Sequence, residues 1–310
     1  AALLNAQPMG FYAPAQIVRD AREHGKIVRA PDVNYSEWDN TLEPISPGVF
    51  AVRLGLRQID GVRQDMGQRI MDARKQPFTD LADLKKRARL DAGTMRKLAA
   101  ADAVRSMTLE RRQALWDARA LRDAPDLPLF AEKDEGEETR FELPQMPICE
   151  HVVADYQTTR LSLKAHPMSF LRRSMAKQGY TACAGLDHMR NGQSVKLAGI
   201  VLIRQRPGSA KGVCFITVED ETGVANLVVW PKVMAAFRKV IMRARVIDVR
   251  GYVQRDADVI HLVAHQLTDR SDALEALSND PLEPPLAHAD EGIKNIPHDP
   301  SGRHPLDVRV

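Results

Sequence analysis

Between Val195 and Leu267 the apolar positions of the chain either alternate with polar ones or run together in short blocks rich in Val, Ile and Leu. Both patterns are typical of strands, and clusters of Gly, Pro and Asp separate the blocks as turns do. The pattern predicts one helix, at about 231–241, and five strands, at about 195–205, 212–219, 224–230, 244–254 and 258–266. Three strands, a helix and two more strands are the order of an OB-fold, a small Greek-key barrel.

Residues 48–125 follow a helical period instead, with a glycine-containing turn near their start. Met66, Ile70 and Ala73 recur at helical spacing after the turn Asp60-Gly61-Val62. Apolar positions at this spacing around a glycine turn are typical of a helix-hairpin-helix. The helical block therefore opens on a predicted hairpin of this kind.

This first turn supplies candidate DNA contacts. In a helix-hairpin-helix, the backbone N–H groups of the turn and of the next helix meet a DNA phosphate, so no base is read. The candidates are Gly61, Val62 and Arg63, with Arg69 on the helix that follows. Arg63 occupies the place of a second glycine that is usual in such turns, so it either adds a phosphate contact or marks a degenerate turn.

A second helical hairpin is predicted further along the same block. The segment Asp91-Ala92-Gly93-Thr94 joins its two helices, and Thr94 is the expected N-cap. Two-helix hairpins are also common packing units in any α-protein, so the pattern alone leaves DNA binding and simple packing open. The predicted fold class is α+β and multidomain: a helical region with tandem helix-hairpin-helix, followed by a five-stranded OB-fold β-barrel.

The predicted barrel carries side chains suited to a nucleic-acid strand. Aromatic rings stack on bases and cationic side chains follow the phosphates. The candidates of these two kinds, with one polar neighbour, are Arg204, Arg206, Lys211, Phe215, Asn226, Trp230 and Arg255. Strand alternation places Phe215 and Thr217 on one face and Ile216 on the other, but both faces are partly apolar, so Phe215 and Trp230 either meet bases or fill the barrel.

The overall net charge is small, but charged residues are unevenly distributed along the chain. The formal net charge is +3, yet residues 45–125 carry 17 Lys/Arg against 10 Asp/Glu, and residues 195–268 carry 11 against 6. Residues 126–155 carry 2 against 9, and residues 269–310 carry 4 against 9. Two basic blocks separated by acidic connectors are expected of a nucleic-acid binder, although Arg-rich helices also solvate an ordinary helical surface.

Composition divides the chain into six predicted parts: residues 1–47, the helical block 48–125, an acidic Pro-rich linker 126–150, a small helical element 151–194, the barrel 195–269 and a weakly ordered tail 270–310. In the linker, Leu127, Leu129 and Phe130 form an apolar patch. Such a peptide either docks into a partner's groove or packs back on its own protein.

Several classes of chemistry lack a signature. The sequence has three widely spaced cysteines, no CxxC, no P-loop, no HExxH and no GxSxG, so neither a catalytic set nor a metal site is predicted. No stretch approaches the ~20 apolar residues of a membrane span, and the first residues do not form a secretory signal. We expect a cytoplasmic protein and, because the sequence lacks an initiator Met, a fragment of a longer one.

Several motifs in one order resemble a known family. NAQPMGFYAPAQIVRDAREHG, AVRLGLRQIDGV, DYQTTRLSLKAHPMSFLR and LAGIVLIRQRPGSAKGVCFITVEDETGVANLVVW together resemble the C-terminal third of a bacterial C-family DNA polymerase. A short Pro-rich tail follows the barrel, as in the damage-inducible, error-prone type.

This resemblance implies functions for the parts. Residues 1–47 would end the fingers domain, the hairpins would grip duplex DNA, and the barrel would lie near single-stranded template. The patch Leu127-Pro128-Leu129-Phe130 is similar to the family's clamp-binding peptide, with Asp126 where a Gln is typical. The catalytic aspartates and two Mg²⁺ ions would belong to a palm domain outside this chain. The alternative hypothesis is a non-catalytic scaffold that docks a sliding clamp or an accessory translesion factor.

Overall fold

The structure is a computed structural model that describes residues 1–8, 13–121, 142–256 and 259–277. Its helices are α1 (Ala2–Asn5), α2 (Pro14–Glu23), α3 (Gln64–Ala73), α4 (Leu81–Ala88), α5 (Ala92–Ala100), α6 (Arg111–Ala120), α7 (Ile148–Thr159), α8 (Pro167–Lys177), α9 (Pro231–Ala236), α10 (Arg238–Arg243) and α11 (Asp272–Ala276). Its strands are β1 (Val28–Arg29), β2 (Thr41–Ser46), β3 (Val49–Arg53), β4 (Ser194–Gln205), β5 (Cys214–Asp220), β6 (Gly223–Val229), β7 (Val246–Asp256) and β8 (Val259–Asp269).

Strands β4–β8 close into the predicted barrel. Their order around it is β4-β5-β6-β8-β7, with β7 pairing back to β4. All pairs are antiparallel except β6 with β8. Ile216, Leu227 and Val249 are among the buried side chains that fill the interior. The predicted five-stranded OB-fold is therefore confirmed, and the single predicted helix is two short ones, α9 and α10.

The helical block has its own core. Leu56, Ile70, Leu84, Met95 and Leu98 are fully buried and pack together. They come from α3, α4, α5 and the short 3-10 turn Leu56–Gln58, which stands in place of a first hairpin helix. The helical spacing in the sequence therefore reflects a real packing face.

A small sheet precedes the helices and corrects one prediction. Residues 49–53 lie in the block predicted to be helical, but they form β3, between parallel β1 and antiparallel β2. The two-residue turn Pro47-Gly48 joins β2 to β3, with Gly48 at φ 75°. Tight turns with a positive φ favour glycine, so Pro-Gly before a β-branched and aromatic run was a hairpin signal that helical periodicity obscured.

Two further boundaries differ from those predicted. Helix α7 begins at Ile148, inside the stretch predicted to be the linker, and Asp155 is buried in its middle. Helix α11 lies in the stretch predicted to be a weakly ordered tail. It is held there because Ser271 Oγ donates to Asp269 Oδ1 and accepts from the Arg245 N–H at 2.7 Å. Among the described residues, no helix is long and apolar enough to cross a membrane.

Candidate nucleic-acid interface

The first hairpin turn leads into α3 with an open helix start. Gly61 has φ 76°, a left-handed conformation in which glycine avoids the cost of a side chain. Val62 is buried beneath the turn, and the N-cap of α3 is Arg63, whose side chain does not cap it. The exposed Arg63 guanidinium instead makes two hydrogen bonds of 2.9 Å to Asp65. The N–H groups at this helix start therefore face outward beside a cation and a carboxylate.

The second hairpin turn is closed by its own carboxylate. Between α4 and α5, Arg89 takes the left-handed conformation with φ 52°. Asp91 caps α5 by accepting hydrogen bonds of 2.8 Å from the Thr94 N–H and from Thr94 Oγ1. Those two hydrogen bonds hold the pKa of Asp91 below its usual value. The expectation that Thr94 is the N-cap was wrong, because Thr94 is the donor and Asp91 the cap.

The two turns are held by reciprocal contacts. Lys97 on α5 donates to the Gly61 carbonyl at 2.6 Å, while Arg69 on α3 donates to the Arg89 carbonyl at 3.2 Å. Each cation lies six residues after the N-cap of its helix and donates to the carbonyl of the left-handed residue in the other turn. The tandem hairpins are therefore one unit with approximate two-fold character, in which Arg69 supports the second turn.

On the barrel, the register places Phe215 and Asn226 on the outer surface. Thr217 pairs with Asn226 across β5 and β6, and Asn226 pairs with His261 across β6 and β8. Phe215 packs at the edge of a small outer cluster with Val228. Because Cys214 and Ile216 point into the core, the face left open by the sequence is settled: Phe215 is outside.

Trp230, Arg206 and Lys211 border this outer surface. Trp230 is 51% exposed and lines a groove with Val228 and His261. Arg206 and Lys211 are exposed in the β4–β5 loop, which reaches the start of α9. A methyl group placed on Gly212 would lie 3.4 Å from Arg206 Nη2 and 3.6 Å from Pro231 Cγ. Aromatic, polar and cationic side chains thus adjoin on one side of the barrel.

Arg204 and Arg255 are engaged with backbone carbonyls. Arg204 donates to the carbonyls of Ile241 and Ala244, at the C-terminal end of α10. Burial lowers the pKa of this guanidinium. Arg255 Nη2 donates to the carbonyls of Leu186, Asp187 and Met189, at 3.3, 2.7 and 3.2 Å. Because these donors are occupied by backbone carbonyls, both arginines hold parts of the fold together in this structure.

Sequence reasoning missed several neighbours of these side chains. His261 and Gln254 are paired in the register next to Asn226, and the rings of Tyr252 and His265 lie 5.2 Å apart on the adjoining strands. These residues lie on β7 and β8, and only the non-sequential pairing of β6 with β8 brings them beside Asn226. Lys97 was missed because its partner Gly61 lies 36 residues away.

The remaining predicted sites can be placed only in part. Leu127, Leu129 and Phe130 lie outside the described residues. Within the described ranges, no three His, Cys, Asp or Glu side chains come together in a way that could hold a metal ion. The described residues therefore do not fit a Mg²⁺ site.

Two family models match the chain at the two parts described above. Residues 25–114 match the helix-hairpin-helix motif, and residues 195–270 match the OB-fold nucleic acid binding domain. The first match spans both hairpins and the small sheet before them, and the second spans β4–β8. The predicted organisation, a helix-hairpin-helix region followed by an OB-fold, is confirmed.

Comparison with known proteins adds longer relatives. The chain is 48% identical to an error-prone DNA polymerase of Brucella abortus, over 100% of this chain and 28% of that protein. It is also 48% identical to an error-prone DNA polymerase of Rhodopseudomonas palustris, over 100% of this chain and 30% of that protein. The chain spans about three tenths of the length of these relatives. The resemblance predicted from the sequence is confirmed.

Among solved structures, the chain is similar to asparaginyl-tRNA synthetase from Pyrococcus horikoshii. The identity is 25%, and the match covers 29% of this chain and 22% of that chain. The TM-score is 0.26. A likeness of this size carries no argument about function.

Proposed function

We propose that this chain is the DNA-gripping portion of an error-prone, translesion DNA polymerase. The hairpin unit would hold duplex DNA through its phosphates, and the outer surface of the barrel would hold single-stranded template. Neither part reads base sequence, because the contacts are to phosphates and to the faces of bases. Nucleotide addition with two Mg²⁺ ions would take place in parts of the polymerase outside this chain.

The observation that carries this proposal is the outer surface of the barrel, which we call the strand face. It is formed by Phe215, Asn226, Trp230 and His261, with Arg206 and Lys211 at its border. Base–aromatic stacking contributes ~1–3 kcal/mol per base and accepts any base. Phe215 is partly buried and packs against Val213 and Val228, which would support its ring beneath a stacked base.

The hairpin unit supports the duplex part of the proposal. The start of α3 lacks a side-chain cap, so its N–H groups and the positive end of its helix dipole suit a phosphate. Arg63 lies at the same position and would donate to a bound phosphate in place of Asp65. The second turn supplies Arg89, whose backbone is held by Arg69 and whose side chain is exposed.

The test uses fluorescence anisotropy with labelled single-stranded and duplex DNA at two salt concentrations. The variant Phe215→Leu keeps the apolar contact with Val213 and Val228 but removes the aromatic ring. We expect it to lose about 1–3 kcal/mol of single-strand affinity and to keep its duplex affinity. Phe50→Leu is the matched control, because Phe50 is a half-exposed phenylalanine on β3, outside the barrel.

Two outcomes would contradict the proposal. One is salt-independent binding of both DNAs, since phosphate contacts release counterions and must weaken as salt rises. The other is equal single-strand affinity for Phe215→Leu and the unchanged chain. Intact DNA affinity after charge reversal of Arg206 and Lys211 would favour the scaffold hypothesis instead.

A further inference from the structure

The helical pair α9–α10 carries a surface of unbalanced positive charge. Residues 222–247 contain five Lys or Arg and no Asp or Glu. Four of the five are exposed on α9 and α10, and we call them the helix-side cations: Lys232, Arg238, Lys239 and Arg243. This surface was not among the sites predicted from the sequence.

The helix-side cations lack ion-pair partners among the described residues. The fifth cation of the stretch, Arg245, is paired with Glu275 at 2.7 Å. Lys239 and Arg243 lie four residues apart on α10, where like charges repel and destabilise a helix. Met242, 58% exposed, lies beside Arg243 on the same helix. A bound polyanion would relieve this repulsion.

The orientation of this surface is fixed by an arginine that sequence analysis assigned to DNA. Arg204 on β4 donates to the last carbonyls of α10, at Ile241 and Ala244. Ile241 is also fully buried in the barrel core. With one side of α10 anchored in this way, Lys239 and Arg243 remain on the solvent side. Arg204 therefore acts as a positioning residue.

The helix-side cations continue from the strand face. Trp230 belongs to the strand face and is also the N-cap of α9, which places Lys232 two residues further on. The loop residue Gly212 approaches Pro231, and Arg206 lies against the same glycine. A strand leaving the strand face past Trp230 would therefore meet Lys232 first and then the cations of α10.

We propose that the helix-side cations bind the phosphates of a nucleic-acid strand that has already crossed the strand face. The ligand is the sugar–phosphate backbone, held without regard to sequence, and the barrel's binding site is longer than the strand face alone. This inference rests on the proposed function, because it extends the path of the same strand. It adds phosphate contacts only for strands long enough to reach α10.

The experiment compares two lengths of labelled oligo-dT, about 4 and about 16 nucleotides, the range of site sizes known for OB-folds. The variant Lys239→Gln/Arg243→Gln removes two exposed charges without creating new ones. The matched control is Arg173→Gln/Lys177→Gln on α8, where two exposed cations have the same four-residue spacing. Affinity is measured by anisotropy over a salt series, and thermal unfolding checks that each variant folds.

We expect the α10 variant to lose roughly tenfold in affinity for the long strand and nothing for the short one. The slope of log affinity against log salt for the long strand should be shallower by about 1.4, the value expected for the loss of two single-strand phosphate contacts. The control should match the unchanged chain. Equal affinities on the long strand, or equal losses on both lengths, would overturn this inference. If the unchanged chain fails to bind the short strand, the proposed function itself is wrong.

Discussion

Replacing Gly61 by alanine tests whether the first hairpin turn holds duplex DNA. Gly61 has φ 76°, and a left-handed conformation costs an L-residue about 1–2 kcal/mol. The added Cβ would also lie 3.2 Å from Cε and Nζ of Lys97, so the end of this lysine, which donates to the Gly61 carbonyl, must give way by a few tenths of an ångström. The substitution would therefore strain the backbone of the turn and disturb the contact with the cation that holds it.

Gly48→Ala is a matched control for this substitution. Gly48 has φ 75° in the β2–β3 turn, and a Cβ there would meet nothing within 4 Å. Both variants should therefore lower the free energy of unfolding by a similar amount, roughly 1–2 kcal/mol, which is the cost of the left-handed backbone conformation for alanine. Only Gly61→Ala disturbs the turn that leads into α3, so only it should affect duplex binding.

The assay is duplex binding over a salt series, with denaturant unfolding of the same samples. For Gly61→Ala we expect weaker duplex binding and a slope of log affinity against log salt that is shallower by about 0.9, one duplex phosphate contact. Binding of single strands at the barrel should be unchanged. The reasoning is refuted if Gly61→Ala loses stability but keeps duplex affinity and slope, or if Gly48→Ala weakens duplex binding as much.

Three further predictions concern stability. Arg204→Met should lower the free energy of unfolding, measured by urea titration, by on the order of 2 kcal/mol, because two C-terminal carbonyls of α10 lose a charged donor. The control is Arg250→Met, at an exposed position on β7, which should change the free energy of unfolding little. Asp91→Ala should cost about 1 kcal/mol as a lost N-cap. The pKa of Asp91 is lower in the folded state than in the unfolded state, where it is about 3.9. The ionised carboxylate therefore stabilises the fold at pH values above the unfolded-state pKa, and this stabilisation is lost as the pH falls through the folded-state pKa. Asp91→Asn should therefore remove part of the acid loss seen in unfolding curves between about pH 5 and 2; identical curves for both proteins would contradict this.

The barrel was predictable because its signals are local. Blocks of Val, Ile and Leu end at turn residues, and the strands Ser194–Gln205 and Gly223–Val229 each begin within one residue of the predicted start. The exterior position of Phe215 was not predictable, since both faces of β5 carry apolar side chains, Phe215 on one and Ile216 and Val218 on the other. Only closure of the barrel decides which face is buried, and closure depends on pairing between β4 and β7, far apart in the sequence.

The partners of cationic side chains were beyond the reach of the sequence. Arg204 and Arg255 have the composition signal of DNA contacts, yet their donors are occupied by carbonyls 37 to 69 residues away. Arg69 and Lys97 carry the same signal and hold the hairpin turns. An arginine that binds a carbonyl and one that binds a phosphate look alike in a sequence, because both need only a donor fork and a free acceptor.

A chain of directional contacts connects the two proposed binding parts. In the first hairpin, Asp60 donates its N–H to the Thr158 carbonyl at the end of α7 and accepts from Arg160 at 2.6 Å. Further along, Arg172 on α8 donates to Asp220 and Glu221 in the β5–β6 turn, and Asp220 is buried. Apolar packing tolerates sliding, whereas a buried carboxylate with fixed donors does not, and breaking such a pair costs about 3–5 kcal/mol. If duplex lies at the hairpin and single strand at the barrel, these contacts set the length of DNA between them.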